Sequence, residues 1–304
     1  MTVAKLFIDS PRRPPADSFR GQCDTAMIKV RGRLALPCKR YQDGLWKLQK
    51  GTRTMFLGEV VGTGVLIFIG CMGCIGSLGR SPPPPMQSAF TFGLTVNMII
   101  MMLGHVSGAH LNPAVTIGSI IIRQKTIATG FLYMIAQFTG AIIGYGLLKM
   151  VTPDFLFNDG FADSKIPLCV TVVHPGVSKV QAVLIEMLCT AIVLCTACAT
   201  WDSRCANTND SVAMKFGLAV AGLSFAASPY TGCSMNPART FAPAFFNGAW
   251  ENQWIYWIGP VLGALLGTYT YQVLFSVPEE NPETLENKDV ELSLVQDKSG
   301  VDSL

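Results

Sequence analysis

Ser107-Gly-Ala-His-Leu-Asn-Pro-Ala-Val-Thr116 and Thr231-Gly-Cys-Ser-Met-Asn-Pro-Ala-Arg-Thr240 are the two stretches that decide how this chain is read. Each carries Asn-Pro-Ala: Asn112, Pro113, Ala114 and Asn236, Pro237, Ala238. Asparagine is a strong helix cap, and proline suits the first helical position, where its missing amide hydrogen costs nothing. Each tripeptide therefore starts a short helix. Both starts lie in apolar surroundings, where a helix terminus leaves backbone donors that only protein or a water-filled cavity can satisfy. Two such starts point to one shared aqueous path through a bilayer.

The composition agrees with a bilayer. Half of the 304 residues are apolar and only 14% are charged. Six runs approach the ~20 residues that a span requires: 55–75, 89–106, 127–151, 180–200, 213–228 and 254–275, the fifth being short. The expected fold is an all-α membrane protein with six transmembrane helices and two re-entrant half-helices. Residues 1–53 form a basic amino-terminal arm with twelve Lys or Arg against four acids, 54–276 the channel domain, and 277–304 a tail with eight acids and two lysines. Basic residues are retained on the cytoplasmic side. The arm, Arg123, Lys125, Arg204 and Lys215 share one side, so both termini are expected to be cytoplasmic. The arm and tail read as solvated disorder, the arm with a possible contact to anionic lipid, and neither indicates nucleic-acid binding.

Ten cysteines give no metal spacing and no disulfide framework. Cys71 and Cys74 lie one helical turn apart in an apolar run, which reads as packing. His105 and His110 lack a nearby third ligand, so neither metal nor cofactor is expected. His174 precedes Pro175 in a connection and reads as a surface residue. The sequon Asn209-Asp210-Ser211 falls on the cytoplasmic side, where it would stay unmodified. Pro82 to Pro85 reads as a stiff extended loop.

The chain is written twice. Glu59-Val-Val-Gly-Thr63 matches Glu186-Met-Leu-Cys-Thr190, and Gln137-Phe-Thr-Gly-Ala-Ile-Ile-Gly144 matches Pro260-Val-Leu-Gly-Ala-Leu-Leu-Gly267. From glutamate to asparagine is 53 residues in one half and 50 in the other. A unit of three spans, 54–151 and 180–276, has been duplicated, and an odd number of spans inverts the second copy. The two half-helices then face each other with their N-termini near the midplane. Each N-terminus carries roughly half a positive elementary charge, so the pair repels cations. Donors from Asn112 and Asn236 orient a passing oxygen and interrupt proton relay. Glu59 and Glu186 are intramembrane acids. Their matched placement suits structural acceptors for loop donors, with proton coupling as the alternative.

With these residues in view, the chain resembles the aquaporin, or major intrinsic protein, family over about 55–275. The resemblance implies a homotetramer with one pore per protomer, and a path lined by carbonyls of Gly108, Ala109, His110, Gly232, Cys233 and Ser234. It also implies an outer selectivity filter, whose aromatic, loop and arginine positions fall by offset on Phe92, Cys233 and Arg239. A mercurial reaching Cys233 would block flow. Where water-selective members carry histidine, this chain has Ser224. The smaller side chain opens the constriction to glycerol or urea. Glycerol channels of the family carry aspartate after the arginine, whereas this chain has Thr240. The mixture is similar to the insect entomoglyceroporins. The expected function is a passive channel for water, glycerol and urea, excluding protons and ions, in the plasma membrane and without enzymatic activity. Alternatives are a strict water channel, if Ser224 is a packing residue and another side chain refills the gap, a proton-coupled secondary transporter, or an adhesion or scaffold protein.

Overall fold

Glycine decides which helices touch. In the computed structural model, which describes residues 39–76, 83–158, 166–205 and 211–276, the helices in chain order are α1 (Lys39–Met72), α2 (Pro85–Ser107), α3 (Pro113–Ile121), α4 (Ile127–Val151), α5 (Phe155–Asn158), α6 (Lys179–Trp201), α7 (Val212–Thr231), α8 (Pro237–Asn247) and α9 (Ile255–Leu274). A Cβ added at Gly140 or Gly144 of α4 would lie 2.2 Å from the carbonyl oxygen of Val60 or Gly64 of α1. In the second half, a Cβ added at Gly263 or Gly267 of α9 would lie 2.4 or 2.3 Å from the Met187 or Ala191 carbonyl oxygen of α6. These are the twinned Gly-Ala segments of the sequence, and each closes one repeat. Small residues let backbones approach without a hydrophobic drive between helices, as the bilayer demands.

The repeats meet through α2 and α7. A Cβ on Gly93 would reach the Gly217 carbonyl at 2.4 Å, and one on Gly217 the Gly93 carbonyl at 2.6 Å. Gly93 and Gly217 have the same offset as Asn112 and Asn236, so mates of the duplication touch each other. That reciprocity is what an inverted repeat produces about a pseudo-two-fold axis. The short α3 packs on α4, α6 and α9, and α8 packs on α4 and α9. Each half-helix is thereby enclosed by protein.

The chain divides into two compact units at Lys50/Gly51, and of the first unit the described residues hold only the start of α1. Among the described residues, five helices are long and apolar enough to cross a membrane: Gly51–Met72 of α1, Met86–Ser107 of α2, and all of α4, α6 and α7. The short fifth span of the sequence extends to Thr231, running through Pro229. The sixth, α9, is less apolar because Tyr256, Trp257, Tyr269, Tyr271 and Gln272 interrupt its aliphatic residues. Phe131, Ile143, Leu188, Ile192 and Leu265 are exposed on the helix surfaces, an apolar exterior suited to lipid.

Two expectations change. Pro85 is not part of an extended loop: it opens α2, with Pro84 as its cap at φ −52°, ψ 137°. Proline's fixed φ and missing donor explain why a Pro run ends by starting a helix. Cys71 is not a free packing residue, since it forms a disulfide with Cys169, 98 positions away. Residues 1–38 of the arm, the tail from 277, Pro82 and Asn209-Asp210 lie outside the described residues.

At the α6 terminus Asp202 pairs with Arg204 (2.6 Å), whose guanidinium also donates to the Phe275 carbonyl. Hydrogen bonds from Arg204 hold the Asp202 carboxyl well below the usual carboxylate range.

Replacing Gly144 with leucine drives a side chain into the Gly64 backbone, and overpacking of that kind costs about 1–3 kcal/mol or more. Gly222, with no atom within 4 Å of an added Cβ, accepts alanine. In detergent, thermal unfolding of purified channel is expected to drop by many degrees for Gly144→Leu and to hold or rise slightly for Gly222→Ala.

Candidate pore and selectivity filter

Asparagine at the start of each half-helix does two jobs with one amide. Asn112 Oδ1 accepts from Ala114 N at 2.9 Å, and Asn236 Oδ1 accepts from Ala238 N (3.0 Å) and Arg239 N (3.2 Å). These bonds cap α3 and α8. The Nδ2 groups then cross over: Asn112 donates to the Met235 carbonyl at 2.8 Å, and Asn236 donates to the Leu111 carbonyl at 2.9 Å. Each amide nitrogen has two hydrogens. One is used in this reciprocal clasp, and both residues line the inner cavity.

The loops entering the half-helices are wound in an unusual backbone conformation. Gly108 (φ 92°), Ala109 (47°) and Leu111 (58°) are left-handed, as are Gly232 (74°), Cys233 (46°) and Met235 (52°). Non-glycine residues held in this region cost of order 1 kcal/mol each and persist only where the surroundings fix them. Two buried carboxylates do the fixing. Glu59 accepts from Ser107 Oγ (2.7 Å), His110 N (3.0 Å), Leu111 N (2.9 Å) and Gln137 Nε2 (2.8 Å). Glu186 accepts from Thr231 Oγ1 (2.7 Å), Ser234 N (2.9 Å) and Met235 N (2.7 Å). With loop amides turned back toward the glutamates, the carbonyls face the other way. Among the described residues, no hydrogen bond reaches the carbonyl oxygens of Gly108, Ala109, His110, Gly232, Cys233 or Ser234. Ala109, His110 and Ser234 line the inner cavity, Gly232 the outer one and Cys233 both, whereas Gly108 is exposed and lines neither of the two.

Sequence reasoning missed the outer ring of supports. Tyr133 OH donates to the Ser107 carbonyl at 2.7 Å, and Tyr256 OH to the Thr231 carbonyl at 2.8 Å. Each stands four residues before its copy of the twinned segment, at Gln137 and Pro260, and that is the signal that would have found them. The His110 ring bonds Thr116 Oγ1 at 3.2 Å and packs edge-on against Tyr133. His105 and His174 are exposed. Among the described residues, no group of three His, Cys, Asp or Glu is arranged to hold a metal.

Two cavities meet end to end. The inner offers about 60 Å³ to water and is lined by Leu66, Val96, Val115, Val193 and the loop residues. The outer offers about 280 Å³ and is bounded by Pro83, Ile166, Leu168, Cys169 and Val170. Four residues line both: Phe92, Ser224, Cys233 and Arg239. The sequence singled out those same four. Arg239 stands with its guanidinium carbon 4.9 Å from the Phe92 ring centre and donates through Nη1 to the Cys169 carbonyl at 2.7 Å. Phe92 nests against Gly70, where an added Cβ would fall 2.4 Å from the ring. The Cys233 thiol donates to the Leu223 carbonyl at 3.4 Å, and Cys233 is only 5% exposed. At the matching place in α3 the residue is Val115, so the constriction has a cation on one side of the clasp only.

Comparison with known proteins agrees with this geometry. The family described as major intrinsic protein matches residues 47–271. Rat aquaporin-4 is 35% identical over 260 residues, covering 83% of this chain and 77% of that one. The human lens fiber major intrinsic protein is 36% identical over 235 residues, covering 76% and 84%. Against several other mammalian aquaporin-4 chains the match spans 59% of their length. The X-ray structure of the aquaglyceroporin from Plasmodium falciparum superposes with a TM-score of 0.65 at 23% identity, covering 73% of this chain and 96% of that one.

Glu186→Gln places an amide nitrogen where the loop N–H groups need an acceptor. Loss of one charge-assisted bond costs about 1.5–3 kcal/mol, and the re-entrant loop is expected to lose its left-handed winding. Thermal unfolding in detergent and water permeability per surface channel should both fall, while Glu186→Asp retains part of each.

Proposed function

The chain belongs to the major intrinsic protein family, whose members are channels and not enzymes, and on that premise we propose that it is a passive channel for water, glycerol and urea. The observation that carries the polyol reading is the composition of the constriction. Ser224 is one of the four residues shared by the two cavities, and Phe92, Cys233 and Arg239 are the others. Arg239 donates to passing oxygens, Phe92 packs against a carbon backbone, and Ser224 leaves room for it. This suits a molecule with hydroxyls on one edge and carbon on the other. The likeness to entomoglyceroporins rests on the same residue, set in a framework with Thr240 after the arginine.

Ion and proton exclusion follows from fixed charge. Two facing helix N-termini and the Arg239 guanidinium repel cations, and the clasped asparagines hold a passing oxygen away from a continuous proton relay. Coupled transport is less well supported, because Glu59 accepts four donors and Glu186 three, most of them from the re-entrant loops. The pore is enclosed within one chain, which supports one pore per protomer in the homotetramer that the family resemblance implies. With the basic arm retained inside, both termini are cytoplasmic and the plasma membrane is the proposed location. A strict water channel is the second reading, favoured by Thr240 and by the identity to rat aquaporin-4.

Swelling of cells or vesicles under an osmotic gradient, repeated with isosmotic glycerol and urea, separates the two. Wild type is expected to pass all three, and Ser224→His to keep water while losing about tenfold or more of each solute, as narrowing a filter by one ring predicts. A wild type that passes water alone would establish the second reading.

A further inference from the structure

Arg239 is held at the constriction by a carbonyl that does not belong to either half-helix. Its Nη1 donates to the Cys169 oxygen at 2.7 Å. Cys169 sits between α5 and α6 in a stretch with neither helix nor strand, has a left-handed φ of 63°, and is buried. Covalent and polar anchors fix that stretch. The disulfide ties Cys169 to Cys71 at the end of α1. Tyr145 OH donates to the Leu168 carbonyl at 2.7 Å, and Thr171 Oγ1 bonds Thr240 Oγ1 at 3.1 Å. Among these anchors only the disulfide acts on Cys169 itself. The free thiol of Cys74 lies 3.9 Å from the Cys169 sulfur, and both Cys74 and Cys169 line the outer cavity.

We propose that Cys169 is a positioning residue of the filter: the Cys71–Cys169 disulfide sets where Arg239 stands, and a thiol reductant entering the outer cavity changes what the pore passes. This rests on the reading of Arg239 as part of the filter. The step is ordinary thiol–disulfide exchange. One thiolate of an external dithiol attacks the Cys169 sulfur, and Cys71 leaves as a thiolate and takes up a proton. The second thiol of the reductant then displaces Cys169, so the reductant closes into a cyclic disulfide while the cysteine pair gains two electrons and two protons. Cys169 is released from α1, its carbonyl no longer presents a fixed acceptor, and the guanidinium swings off the lumen axis. An oxidising exterior keeps the bond formed. Cys74 can make the same attack from within, transferring the link to Cys74–Cys169 without net oxidation.

The test uses the full chain carrying Cys74→Ser, so that no third thiol replaces Cys71, in vesicles treated from outside with a membrane-impermeant dithiol. Alkylation and mass spectrometry count the free thiols at Cys71 and Cys169, and swelling reads water, glycerol and urea in parallel. The expected result is a rise of at least about threefold in the glycerol-to-water permeability ratio as the filter widens. The rise should reverse on reoxidation and be absent when Arg239→Ala is added. A ratio that does not move once both thiols alkylate overturns the proposal, as does a pair that no reductant frees. If wild type passes only water, the polyol reading fails by itself. The staple is then judged on whether reduction changes water flow in an Arg239-dependent way. Cys71→Ser should reproduce the reduced state, and if it does not fold, reduction of the folded chain still decides.

Discussion

Two buried carboxylates hold the pore open. Glu59 and Glu186 each gather the amides of a re-entrant loop, and without them the left-handed residues at Ala109, Leu111, Cys233 and Met235 would relax. Burying a carboxylate costs several kcal/mol per ion, and three or four charge-assisted donors at about 1.5–3 kcal/mol each are of the size needed to offset it. With amides turned to the glutamates, the loop carbonyls are left to face the path. The same bonds thus create both rigidity and a ladder of acceptors for water.

The duplication supplies the frame, and departures from it supply the chemistry. Glycine pairs, glutamates, tyrosines and capping asparagines recur in both halves with nearly the same geometry, which is why the half-helices meet at the clasp of Asn112 and Asn236. Gln137 has proline as its counterpart, so Glu59 has a fourth donor that Glu186 lacks. Arg239 has Val115 as its counterpart, and the cation therefore stands on one side of the clasp only. A symmetric pore would be an aqueous hole with no preference between its two ends. The single guanidinium stands against Phe92 at one end, where Ser224 also lines both cavities.

The disulfide extends that asymmetry. It ties a connecting stretch found only between the repeats to the end of α1, and through the Cys169 carbonyl to Arg239. Closing a loop of 98 positions restricts the unfolded chain, an effect that grows slowly with loop length. Its local consequence is more specific, since it places one acceptor beside one cation.

The sequence by itself determined the helices, the inverted duplication and the two capped half-helix starts, and the family resemblance it carries pointed to Phe92, Ser224, Cys233 and Arg239. The first three are local patterns or repeats of one: Asn-Pro-Ala caps a helix wherever it stands and glycine spacing marks a helix face, whereas Phe92 and Ser224 follow by offset only from the positions the resemblance implies. Only the tertiary structure decided that Cys71 bonds Cys169, that Asn112 and Asn236 exchange donors across the clasp, that Tyr133 and Tyr256 bolt the loop carbonyls, and that Arg239 leans on Cys169. Those are pairings between residues far apart in the chain, and no periodicity encodes them. They exist because glycine contacts bring helices to within a few ångströms, where a donor, an acceptor or a thiol finds whichever partner the packing has placed beside it.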